Sequence, residues 1–259
     1  MAFFAPLNSP IASFAGKRVW VVGASTGIGA ATANLLLERG AKVAVSARSL
    51  ESLESAFAGR ATLLPLDVTD ATATSRTAQR LCESWGGIDL VLAVAGTYKA
   101  MRASEIKLAE ARRIVDVNLN GVLNLLAAVQ PVLMRQGEGG FGIVASVAGY
   151  GGLPNSLAYG ASKAACVNLA QSLYLDLHQR GIDVYLVSPG FVATPLTAKN
   201  EFKMPFLISA EQAAEEIVEG LERGDFEIHF PRAFSRMLKA INLLPHRLYF
   251  WCVRRFTGM

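Results

Sequence analysis

Apolar and polar positions along this 259-residue chain follow two alternating periods. Short aliphatic and β-branched runs end in glycine or serine. Each is followed by a stretch in which apolar residues recur every three or four positions. Arg18–Gly23 reads as a strand and Ile28–Arg39 as a helix stopped by Gly40. Lys42–Ala47 is a second strand, and Ser49 opens a short helix. Ala61–Leu66 is a third strand, followed by a helix from Asp70 to Trp85. Ile88–Val94 is a fourth, followed by one long helix over Ser104–Arg135. Phe141–Ser146 precedes a helix over Ser156–Arg180, halted at Gly181. Ile182–Ser188 is a sixth strand. Ser209–Arg223 is helical, with Ser209 and Gln212 spaced as a capping box, and Phe226–Phe230 is a seventh strand. Strands apolar on both faces, each separated from the next by a helix, predict an α/β fold with a parallel sheet covered on both sides. Residues 17–230 form one such unit, without linker or repeat, and 231–259 form a tail.

Composition narrows the class. Hydrophobic residues are 52% and charged residues 18% of the chain, which excludes a disordered polymer. Cys82, Cys166 and Cys252 lie far apart, as do His178, His229 and His246, in no metal-ligand spacing. The expectation is no metal site and a reducing, cytoplasmic setting with thiols packed as small hydrophobes. MAFFAPLNSP lacks the basic start of a secretory signal. The net charge is +4, yet Pro231–Met259 carries six basic residues and no acid, so the body stands at −2. A body-wide nucleic-acid surface is excluded on that balance.

The first strand–helix junction reads Gly23-Ala24-Ser25-Thr26-Gly27-Ile28-Gly29. Glycine permits a positive φ at the turn and close approach of backbone to a pyrophosphate, and the helix N-terminus offers unpaired N–H groups to an anion. At the end of the second strand, where an NAD site carries an acid, stand Arg48 and Ser49. A cation and a hydroxyl suit the 2′-phosphate of NADP(H); alternatively Arg48 is a solvated loop residue and Ser49 a helix cap. Asp67-Val68 follows the third strand, where the carboxylate reaches an adenine amino group or serves as turn and cap. Tyr159 and Lys163 are spaced i and i+4 on one helix face, with Ser146 thirteen residues upstream of the tyrosine. A phenol beside a cation can act as general acid to a carbonyl or general base to an alcohol.

Together these residues resemble the short-chain dehydrogenase/reductase family, from about Lys17 to Phe230. The resemblance rests on Gly23, Gly27 and Gly29, Asp67, Gly96, Asn118, Ser146, Tyr159, Lys163, Pro189-Gly190 and Thr194, in the family's order and spacing. It implies a Rossmann-type doubly wound parallel sheet of seven strands with a C-terminal helical tail. It implies that Tyr159 exchanges the proton, that Lys163 holds the nicotinamide ribose and lowers the tyrosine pKa, and that Ser146 orients the substrate oxygen. Asn118 then sits on a distorted helix, with Ala95-Gly96 beside the cofactor and Pro189, Gly190, Val192 and Thr194 lining the nicotinamide. The family's Asn-Asn-Ala-Gly is here Ala93-Val94-Ala95-Gly96, and its opening threonine is Val22. The function implied is NADP(H)-dependent interconversion of a carbonyl and an alcohol. An NAD-linked alcohol dehydrogenase and a non-catalytic dinucleotide-sensing protein are the alternatives. A homodimer or homotetramer through the Ser104–Arg135 and Ser156–Arg180 helices is also implied.

Tyr98, Tyr150, Leu153, Phe191, Leu196, Phe202, Met204 and Phe206 are expected around the substrate, which suits a lipophilic molecule. In the tail, aromatic and aliphatic residues alternate with arginines, and Pro245 divides it into two helices. Such a segment lies on an anionic membrane, closes a neighbouring subunit, covers the substrate cleft, or packs on the body with snorkelling arginines; it is too short and charged to span a bilayer.

Overall fold

The computed structural model describes residues 5–198 and 204–258. Among them, β1 (Arg18–Val22), β2 (Lys42–Ala47), β3 (Thr62–Pro65), β4 (Leu90–Ala93), β5 (Gly139–Val144), β6 (Ile182–Pro189) and β7 (Glu227–Phe230) form one parallel sheet in the order β3-β2-β1-β4-β5-β6-β7. Side chains alternate across each strand, so both faces are apolar. Val19 and Val21 face one layer, built by α1 (Gly27–Glu38), α2 (Leu50–Phe57) and α7 (Ala210–Arg223). Trp20 and Val22 face the other, built by α3 (Ala71–Trp85), α5 (Gly121–Gln136) and α6 (Leu157–Leu177). The chain runs outward from β1 to β3 and then returns to β4 on the other side of β1. That reversal opens a crevice at the carboxyl ends of β1 and β4.

The expected capping box is present: the Ser209 side chain and Gln212 satisfy each other's backbone N–H groups. The long helix expected over Ser104–Arg135 is not continuous. It consists of α4 (Leu108–Val115), a π turn at Asp116–Asn120, and α5. From within this turn the Asn118 side chain bonds Thr97 and Ser162. Leu108–Gln136 is apolar and long enough to cross a bilayer, but this stretch buries Val122, Leu125, Val129 and Leu133 in the core. The tail forms α8 (Arg232–Asn242) and α9 (His246–Thr257), divided at Pro245 as the sequence predicts.

At the opposite edge from the crevice, Arg18 ties β1 to β4. Its Nη2 donates to Asp89 Oδ1 at 2.7 Å, its Nε to Oδ2 at 3.0 Å, and its backbone N–H to Oδ2 at 2.7 Å. Burial pushes the Asp89 carboxyl up, but the Arg18 hydrogen bonds outweigh it and hold the group below the usual carboxylate value. A depressed carboxylate stabilises the fold above its unfolded pKa, and that contribution fades as pH falls through the folded one. Arg18→Ala is expected to cost about 2 kcal/mol at neutral pH, with Tm falling by roughly 4–8 °C. The gap from wild type should narrow below about pH 4. Thermal melts across pH check both; a gap independent of pH would contradict the assignment.

Candidate active site

The crevice holds a cavity of about 1130 Å³. The turn between β1 and α1 forms its floor. Gly23 has φ +99°, and a Cβ there would overlap the Ala95 backbone; a Cβ on Gly29 would overlap the Gly23 carbonyl. Gly27 has φ +58°, and its added Cβ would lie 2.9 Å from Thr194 Cγ2, so this turn also touches the segment after β6. No side chain caps α1 and no acid stands in its first turn. The first N–H groups of the helix, with Ser25, Thr26 and Ile28 beside them, therefore border the cavity as a site for an anion.

Ala93 and Val94, which replace the family's polar pair, pack apolar. The backbone supplies the bracing instead, since Val94 and Ala95 N–H both donate to Val22 O at 2.8 Å.

At one end the cavity is lined by Arg48, Asp67, Val68 and Thr69. Ser49 is not among the lining residues. Its hydroxyl accepts the Ser52 N–H at 3.1 Å as the N-cap of α2, which leaves its own O–H as a donor. Asp67 Oδ1 accepts the Thr69 N–H at 3.0 Å and its hydroxyl at 2.8 Å, a turn role beside its place in the lining. Those bonds, with Arg48 and Arg113 nearby, hold its carboxyl below the usual value against burial. Arg112 and Arg113 of α4 also line this end, and sequence reasoning missed them. The available signal was a pair of arginines at the end of a short helix, but their distance in the chain from the β2 end conceals the juxtaposition. Among the described residues, Arg48, Arg112 and Arg113 form no ion pair.

At the other end stand Ser146, Tyr159, Lys163, Gly96 and Ala95, with Pro189, Gly190, Val192, Thr194 and Leu196. Tyr159 and Lys163 share the inward face of α6. The turn carrying Ser146 lies so close to that helix that a Cβ on Gly149 would approach the Lys163 carbonyl carbon to 2.7 Å. Lys163 is 4% exposed, and its Nζ donates to Val144 O at 2.7 Å, lying 5.9 Å from the Tyr159 ring centroid. Burial pushes its pKa down. The Tyr159 phenol is pushed up to about 12, chiefly by burial; a hydrogen bond with Ser146 acts in the opposite direction. Tyr98 packs edge-on against the Tyr159 ring at 5.0 Å.

Asn118 does not line the cavity. It is fully buried in the π turn, where Oδ1 accepts the Thr97 N–H at 2.7 Å. Its Nδ2 donates to Thr97 O at 3.0 Å and Ser162 Oγ at 3.1 Å. It therefore ties the loop after β4 to α6, one residue from Lys163. Across the cavity, Thr197 Oγ donates to Val192 O at 2.5 Å and accepts the Thr194 N–H at 3.1 Å, fixing a turn that the sequence did not reveal.

The expected substrate residues divide. Leu196 borders the cavity, and Tyr98 backs Tyr159. Tyr150 turns away, because its hydroxyl donates to Glu227 Oε1 at 2.6 Å. Phe191 and Phe206 stack on Phe234 of α8. Leu153 and Met204 are not in the lining, and Phe202 lies outside the described residues.

Residues 17–204 match the family model for short chain dehydrogenases. An uncharacterized oxidoreductase of Myxococcus xanthus is 36% identical over 251 residues, covering 95% of this chain and 99% of that protein. One from Staphylococcus aureus is 32% identical over 186 residues, 70% of this chain and 80% of its own length. Among solved structures, a candidate short-chain alcohol dehydrogenase from Sinorhizobium meliloti superposes with TM-score 0.69 and 31% identity, covering 73% of this chain and 78% of that one. A short-chain dehydrogenase from Streptomyces avermitilis shares the fold at TM-score 0.80 and 24% identity over 95% of this chain and 98% of that one. By family model and by relatives, this chain is an oxidoreductase belonging to the short-chain dehydrogenase family.

Proposed function

We propose that the protein interconverts a carbonyl and an alcohol with NADP(H), acting on a lipophilic substrate, with Tyr159 as general acid and base. The observation that carries this reading is the convergence of the Tyr159 phenol, the Ser146 hydroxyl and the Lys163 amine at one end of a cavity that begins on the glycine turn. The cavity fits a nicotinamide dinucleotide. Uncapped N–H groups of α1 suit its pyrophosphate, and three arginines that form no ion pair, two of them near Asp67, suit a 2′-phosphate. When bound, the nicotinamide supplies or accepts the hydride.

The protein's own groups manage the proton and the oxygen. A phenol pushed up to about 12 is protonated at neutral pH, so Tyr159 begins as an acid able to protonate a carbonyl oxygen as it becomes an alcohol. The Ser146 hydroxyl favours the phenolate that remains. Lys163, held by Val144 O, places a cation within the same apolar enclosure and offsets that negative charge. Asn118 positions rather than reacts: it anchors α6 against the loop after β4. For oxidation the tyrosine must first lose its proton, which calls for the positive charge of an oxidised nicotinamide together with Lys163. Apolar Leu196 at the rim and Tyr98 behind the phenol favour a lipophilic substrate.

Leu123 of α5, and Leu157 and Leu175 of α6, are exposed, which supports self-association through these helices. The free cysteines accord with a reducing cytoplasm. The direct test is paired titration with NADPH and NADH by nicotinamide fluorescence, followed by turnover of apolar ketones. Tight NADPH binding, weak NADH binding and ketone-dependent loss of NADPH are expected. Equal binding of the two would remove the NADP reading, and binding without turnover of any ketone or alcohol would favour a sensor.

A further inference from the structure

The tail has an inner and an outer side of unlike chemistry. The inner side is clamped to the body. Phe234 of α8 stacks on Phe191 at 5.6 Å and Phe206 at 5.9 Å. Lys239 pairs with the Glu227 carboxylate that also accepts the Tyr150 hydroxyl. From α9, the buried Tyr249 donates to Gly152 O at 2.7 Å. The helices are therefore held in one position, and what faces outward is fixed.

What faces outward on α9 is apolar and cationic together. Trp251 is 64% exposed, Phe250 54% and Leu248 51%, and Leu243 in the turn before the helix is 86% exposed. At 3.6 residues per turn, Phe250, Trp251 and Leu248 fall within an arc of about 160°, opposite Tyr249, Cys252 and Val253. Arg247, Arg254 and Arg255 project into the same arc, and none has a carboxylate partner among the described residues. The segment from 231 to 259 contains six cations and no acid.

A tryptophan and a phenylalanine left in water, interleaved with unpaired guanidinium groups, need a partner that is apolar and anionic at once. A second copy of this tail is a poor one: a two-fold contact would set cations against cations. A bilayer with acidic headgroups provides an apolar layer under a sheet of phosphates. With twelve residues, α9 is too short to span a bilayer and would lie in its interface. We propose that the outer face of α9 is a docking surface for an anionic phospholipid membrane. The neighbouring α8 touches Phe191, whose chain neighbours Gly190 and Val192 line the cavity, so docking would bring the site near molecules dissolved in lipid. The proposal does not depend on the cofactor or the chemistry assigned above.

The test uses the full-length protein and sucrose-loaded vesicles of phosphatidylcholine, either alone or with roughly a third phosphatidylglycerol. Co-sedimentation with the acidic vesicles only is expected, weakening with added salt, with a blue shift of Trp251 emission. R254E/R255E should lower vesicle affinity at least tenfold, on the order of fivefold per arginine from the charge alone. Trp251→Ser should also weaken binding. Both variants should keep the wild-type melting profile and dinucleotide binding. The proposal fails if wild-type protein stays in the supernatant at low salt, or if it pellets equally with neutral vesicles. It also fails if both variants pellet like wild type, or if they break a wild-type oligomer while vesicle binding is unchanged.

Discussion

Tyr159→Phe is expected to lower turnover about a thousandfold while leaving dinucleotide affinity within a few-fold of wild type. Positioned proton transfer contributes roughly two to four orders of magnitude in rate, and this substitution removes the only transferable proton of that side chain. The ring itself should remain in place. It packs against Tyr98 and is carried on α6, which Asn118 and the Gly149 contact hold. The loss should therefore appear in kcat and not as a collapse of folding or cofactor binding. Steady-state kinetics with the best ketone, with a fluorescence titration and a melt on the same preparation, measure all three quantities. Wild-type turnover in the phenylalanine variant would exclude Tyr159 as the acid and direct attention to a water held by Ser146.

Arg48→Asp is expected to invert cofactor preference. Losing one charge-assisted contact to a phosphate costs roughly 1.5–3 kcal/mol, and replacing the cation by an anion adds repulsion, so NADPH affinity should fall on the order of a hundredfold or more. A carboxylate at the end of β2 also suits a ribose 2′-hydroxyl, so NADH affinity should rise. Arg112 and Arg113 moderate the outcome: they line the same end of the cavity and remain in the variant, so residual NADPH binding is expected. Removing them in addition should complete the inversion. The ratio of the two dissociation constants is the quantity to follow, and an unchanged ratio would show that Arg48 does not read the 2′-phosphate.

What the sequence determined by itself is what depends on short spans of backbone. Strand and helix alternation, the glycine turn, the Ser209 cap and the division of the tail at Pro245 follow from side-chain periods and from the φ that glycine and proline permit. The Tyr159–Lys163 pair belongs to the same class, because one helical turn places i and i+4 on one face whatever surrounds them. The sequence also allowed Ser49 two roles, and its N-cap bond to Ser52 is equally local.

Tertiary structure decided whatever required chain segments from opposite sides of the sheet reversal. The π turn at Asp116–Asn120 exists where the Asn118 amide meets Thr97 and Ser162, residues 21 and 44 positions away. Arg112 and Arg113 join Arg48 only because α4 follows the return to β4 and faces back across the crevice. Tyr150 leaves the substrate side for Glu227, 77 residues distant. The phenol of Tyr159 rests high chiefly because the folded chain partly buries it, and burial is a property of many elements at once. Local geometry fixes which groups are available; desolvation and long-range contacts fix their charge and their partners.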